Sequence, residues 1–197
     1  MNDQQLKLEK SLSGAMIFTI AGAIWGAIGV YSMKGPEQKF LWIGLAIATL
    51  ALLGAEFFLI SIVNKGSAPL TPELAAREAK ESRIFTIVNG VQGVAIFIAV
   101  QVWSNLHKPE FLIPTVAIIV GLHFLVLGPF FRSRSHTVIG ITMCLMAITV
   151  MVVIPQGTAS SRPDGMAPWG VALGIGNAVL LWATTLYRLV EAIRSIE

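Results

Sequence analysis

Charge is scarce in this sequence. Asp, Glu, Lys and Arg make up 13% of its 197 residues, and 55% are hydrophobic. A soluble domain carries about a quarter charged residues, so with a mean hydropathy of +0.74 that class is excluded. Cysteine is scarcer still. The lone Cys144 makes no intramolecular disulfide and says nothing about redox compartment. Its position inside an apolar run reads as a small packing residue. Period-2 alternation is missing, which excludes a transmembrane barrel. Also missing are His-x-x-x-His and Glu-x-x-His metal spacings, a Gly-x-Ser-x-Gly or paired-Glu protease motif, and a phosphate-binding glycine loop. No nucleophile or metal set is complete, so neither an enzyme nor a resident metal or cofactor is expected. His107 and His136 belong to opposite interfaces and cannot share a haem, whereas His123 and His136 can share the inner side.

What the chain has in quantity is long apolar runs. Six of them, at 14–33, 40–63, 83–104, 111–131, 137–154 and 168–190, are near the roughly 20 residues that cross a bilayer as a helix. The reading is all-α: a polytopic membrane protein forming a single transmembrane domain over 1–197, with six transmembrane helices as three hairpins. Lys7 and Lys10 precede the first run as in a signal peptide, but the run is long for one and five spans follow, so it reads as retained.

Lys and Arg set the orientation. Ten fall on the side of the two termini, among them Lys65, Arg77, Lys80, Arg83, Arg132, Arg134, Arg188 and Arg194, and four fall on the other. Both termini are therefore expected in the cytoplasm of a multi-pass cell-membrane protein. Trp42, Trp103 and Trp169 lie at outer ends of spans, as an interfacial belt requires. The partner implied is the lipid bilayer. Without a soluble basic patch, no nucleic acid is expected.

The first two hairpins match at a constant offset of 67. Ile17-Phe18-Thr19-Ile20 repeats as Ile84-Phe85-Thr86-Ile87, Gly26 falls on Gly93, Gly54 on Gly121, Phe57 on Phe124 and Lys65 on Arg132. Two helices agreeing in one register suggest a parallel internal repeat. Glu56 then corresponds to His123, and Gly22 and Trp25 to Asn89 and Gln92.

Local signals fill in the rest. Leu6, Leu8 and Leu12 among polar residues fit either a surface helix or a frayed tail. Gly22 and Gly26, Gly170, Gly174 and Ala178, and Gly44, Ala48 and Ala51 let helices approach closely. In the cytoplasmic connector 64–82, Thr71-Pro72 is a helix start, with no breaker before span 3, predicting one helix over about 72–104. Pro114 and Pro129 tend to kink span 4. The turn-rich segment 156–168 is long enough to fold over an opening.

Polar residues are few inside the spans, and four share one depth. Glu56, His123, Asn89 and Gln92 lie seven, eight, six and nine residues from the inner ends of spans 2, 4, 3 and 3. Thr19 and Thr142 fall close by. A carboxylate there costs about 2–3 kcal/mol to insert and must be neutral, paired or facing water. His123 is its expected partner, and a carboxyl beside an imidazole suits proton handling. The four are the candidate binding or translocation residues for a small-molecule ligand or a proton. The alternative is a non-transporting scaffold or partner subunit, alone or in an oligomer, in which they only fasten helices. The strings RIFTIVNGVQG and VGLHFL resemble those of small, functionally unassigned bacterial membrane proteins with six spans, a resemblance that implies no activity.

Overall fold

A computed structural model of the protein describes residues 3–33, 35–64, 71–154 and 167–196. They form six helices: α1 (Asp3–Ser32), α2 (Gln38–Asn64), α3 (Pro72–Asn105), α4 (Leu112–Phe130), α5 (Arg134–Val153) and α6 (Ala167–Ile196). A 3-10 turn, Pro109–Phe111, leads into α4. Every helix is long and apolar enough to cross a membrane. The segment 156–168, expected as a folding-over loop, lies almost wholly outside the described residues, with Pro168 already in α6.

The broadest contacts are α1 on α6, which joins distant parts of the chain, and α4 on its sequential neighbour α5. Small residues explain both. Gly29 and Gly174 meet so closely that a Cβ on Gly174 would run into the Gly29 backbone, and one on Gly29 would lie 2.8 Å from the Ile175 nitrogen. Gly121 and Gly140 do the same between α4 and α5, a Cβ on Gly121 falling 2.9 Å from the Gly140 carbonyl. Backbones in near contact add dispersion and exclude lipid, which is how helices associate where water supplies no hydrophobic drive. Cys144 fills the space beside Gly121, the packing role its sequence position implies.

The remaining helices are peripheral. α2 lies on α1, and α3 lies on α4. Phe18, Trp25, Ala117, Phe124, Met143, Leu173 and Leu181 form the main core between α1, α4, α5 and α6. A second cluster of Leu12, Leu59, Leu189 and Ala192 closes the end that carries the start of α1 and the end of α6, here called the basic end. Leu12 is thus neither on a surface helix nor in a frayed tail: α1 is continuous from Asp3, and burial against α2 and α6 carries it.

Thr71 caps α3 as its sequence predicts, its Oγ1 accepting from the Leu74 N–H, with Pro72 at the first helical position. Pro114 sits in the first turn of α4, where its missing N–H breaks no bond, and Pro129 in the last. There the chain turns tightly, with the Ser133 N–H bonded to the Gly128 carbonyl and Arg132 to Pro129. This Schellman turn puts Arg132 in the left-handed region at φ 49°.

Trp169 departs from the expected belt. It is buried in the core, donates its indole N–H to the Ile154 carbonyl at 3.2 Å, and meets Phe111 edge-on. A free carbonyl at the end of α5 satisfies the indole inside the protein, so it has no need of the lipid interface. Trp103 stacks on the other side of Phe111 and bonds Thr115.

Candidate functional site

α1 separates two polar groups near the basic end. They stand back to back, one reached by Thr19 and the other by its neighbour Phe18.

On the Thr19 side, α2 turns Glu56 inward. Its carboxyl is fully buried, and Oε1 accepts a hydrogen bond from the Thr19 hydroxyl at 2.7 Å. Thr19 Oγ1 in turn lies 3.4 Å from Thr185 Oγ1, whose hydroxyl donates to the Ala15 carbonyl. Oε2 has no partner. The row Glu56–Thr19–Thr185–Ala15 O accommodates two protonation states by hydroxyl rotation. With an ionised carboxylate Thr19 donates to it; with a neutral acid the acid donates to Thr19 and Thr19 to Thr185.

On the Phe18 side, α4, α5 and α6 bring together His123, His136 and Arg188. Arg188 is 8% exposed, its guanidinium carbon 4.6 Å from the Phe18 ring centroid, and it donates to Ser135 Oγ at 3.2 Å. The His136 ring touches Phe18, Phe124 and Phe131 at 5.4–5.9 Å between centroids. His123 is buried against Phe124, with its ring close to the Val88 backbone of α3. Nδ1 of both histidines is buried without a partner among the described residues.

The expected Glu56–His123 pair is therefore not formed: Glu56 accepts from Thr19, whereas His123 lies beside the Val88 backbone of α3. Packing is the cause, because α2 lies on α1 whereas α4 lies on α5 and α3. Equal depth along the sequence did not mean adjacency across the bundle. Asn89 is exposed and donates to the Phe85 carbonyl of its own helix. Gln92 is half-buried and follows Val88 by one turn, on the stripe of α3 that faces α4. So Glu56 and His123 are interior, Gln92 borders His123's helix, and Asn89 stands apart.

Three further residues stand at or near the site: Arg188, His136 and Asn177. By sequence Arg188 and His136 are interface residues, and their distance from the span ends gives no hint that Phe18 covers them. Asn177 is the third. It is fully buried in α6 with both amide atoms unpartnered, and a polar amide amid an apolar run was the available clue. Asn177 and Arg188 are 11 residues apart, about three helical turns, so they share one face of α6. Among the described residues no three His, Cys, Asp or Glu side chains converge as a metal-holding set.

Residues 1–184 match the model of a protein family described as a family of unknown function, DUF7010. No curated protein and no solved structure matches the chain.

Proposed function

We propose that this chain, which belongs to the family of unknown function DUF7010, is an integral membrane protein that binds or moves a small solute or proton through the polar layer at its basic, cytoplasm-facing end. One observation carries the reading. Glu56 is fully buried, with one oxygen held by a hydroxyl that can reverse its bond and the other oxygen without a partner. An acid set only to fasten helices would have its lone pairs occupied, since an unmet buried polar atom costs about 1–3 kcal/mol. An acid that takes and releases a proton, or that receives a polar ligand, keeps one oxygen free. Asn177, further along α6 and equally unmet, extends the polar groups toward mid-membrane. The chain is not proposed to be an enzyme.

The second reading is a scaffold or partner subunit. The contact Thr19–Glu56 favours it, because it ties peripheral α2 to α1.

Reconstitution separates the two. Full-length protein in liposomes containing a pH-sensitive dye is given a potassium diffusion potential, and proton entry is compared with that of empty vesicles. The transport reading expects entry above the empty-vesicle rate, abolished by Glu56→Gln with the melting temperature almost unchanged. Wild-type entry no faster than that of empty vesicles, with no solute co-purifying by native mass spectrometry, would leave the scaffold reading.

A further inference from the structure

We propose that the basic end of the bundle holds a binding site for a phosphate-bearing anion, built from the N-terminus of α5 and Arg188 of α6. The site goes beyond the function proposed above and does not involve Glu56.

The first support is a buried cation without a counter-ion. Arg188 is more than nine-tenths buried, yet among the described residues no carboxylate is ion-paired with it. The acidic group within electrostatic range is Glu191, one turn on and exposed. A guanidinium has five N–H donors, and its side-chain hydrogen bond goes to Ser135. Burial of a charge is costly unless it is paired, so this arrangement calls for an anion.

The second support is where that hydrogen bond leads. Ser135 lies in the first turn of α5, a 20-residue helix with no side-chain cap and no acidic residue in that turn. Free backbone N–H groups and the helix dipole favour an anion there. Ser133 Oγ lies 3.0 Å from Ser135 Oγ, so two hydroxyls stand at the same helix end. The guanidinium and the helix terminus thus meet at one residue.

The third support is the pair of histidines. His136 is the next residue along that turn, within electrostatic range of both Arg188 and His123. His123 is itself nine-tenths buried, and the Nδ1 atoms of both rings have no partner. The unpartnered Nδ1 of His136 is thus a buried polar atom one residue from Ser135. Arg132 and Arg134 flank the helix start and add positive charge at its rim.

A planar fork, a helix end and two hydroxyls meeting at one place suit a tetrahedral oxyanion, whose several oxygens can each accept a bond. Such a group can be free phosphate or the headgroup of a phospholipid.

Two measurements on the full-length protein distinguish the sources. Isothermal titration in detergent uses inorganic phosphate. Native mass spectrometry from nanodiscs of equal phosphatidylglycerol and phosphatidylcholine scores the lipid retained. Saturable phosphate binding identifies the free anion, and selective retention of phosphatidylglycerol without it identifies the lipid. In either case Arg188→Gln is expected to weaken binding by about tenfold or more, and His136→Gln by a smaller factor. Should Arg188→Gln fail to fold, His136→Gln and Ser135→Ala carry the same test. Glu56→Gln is expected to bind the probe as wild type does, so loss of proton entry in that variant leaves this site standing. Neither phosphate nor lipid binding in wild type, or binding unchanged in the folded variants, overturns the proposal.

Discussion

Glycine has opposite uses in two regions of this molecule. Between α1 and α6, and between α4 and α5, it brings backbones together, and a side chain at Gly29, Gly174, Gly121 or Gly140 has no room. On α2 and α3, Gly44, Gly54, Gly90 and Gly93 have nothing within 4 Å of where a Cβ would be. The two sets are paired by the 67-residue match: Gly26, packed against Leu45 and Ala178, corresponds to open Gly93, and open Gly54 to crowded Gly121. The first hairpin puts its central helix first, and the second puts its central helix second. A shared string of residues therefore does not bring a shared environment, and packing position decides what each glycine does.

The largest expected effect breaks the crowded side of that contrast. Gly174→Val drives branched carbons into the Gly29 backbone, which cannot move aside as a flexible side chain could. Overpacking costs about 1–3 kcal/mol, and the upper end or beyond is expected where the obstacle is backbone. Thermal melting in detergent is expected to show loss of the folded state, and a variant that melts like wild type would mean the helices do not approach as described.

Next in size is the polar tie between centre and periphery. Glu56→Ala removes the acceptor for a buried hydroxyl and leaves a void, for an expected loss of about 1–3 kcal/mol. Glu56→Gln retains an acceptor and is expected to cost under about 1 kcal/mol. Equal melting of the two variants would show that α2 is held by its apolar contacts alone.

The smallest effect sharpens the open side. Gly93→Ala meets no neighbour in the single chain and relieves the helix cost of glycine, so it is expected to stabilise by up to about 1 kcal/mol. A fall in stability, or a shift in mass by size exclusion with multi-angle scattering, would instead mean that a partner helix covers this face of α3 in the membrane.

The six helices were legible because length and hydropathy mark membrane spans almost without reference to tertiary structure. The α3 start was equally plain, since Thr71 and Pro72 act within one turn. The close approach of α1 and α6 was half visible: the small residues could be seen on each, but not that those two would meet. The site was less legible. Depth follows from counting along a span, and Glu56 and His123 are indeed interior. Azimuth and neighbour identity do not follow, which is why Glu56 bonds Thr19 and not His123, and why Asn89 faces outward. Arg188 was read for its sign only. Nothing local in the sequence announces that Phe18, some 170 residues earlier, lies beneath its guanidinium.

The pairing of α1 with α6 also bears on the order in which the protein can assemble. The Thr185 hydroxyl reaches a carbonyl 170 residues away, so the most intimate contact in the bundle is also among the most distant along the chain. During synthesis α1 precedes α6, and although α2 can supply Glu56 to Thr19 early, the glycine-lined face of α1 is unmet until α6 emerges. Long-range closure of this kind is slow, and an unfinished chain has an exposed sticky helix throughout. Quality-control factors that survey unpaired polar helices in the bilayer would see α1 for as long as translation lasts.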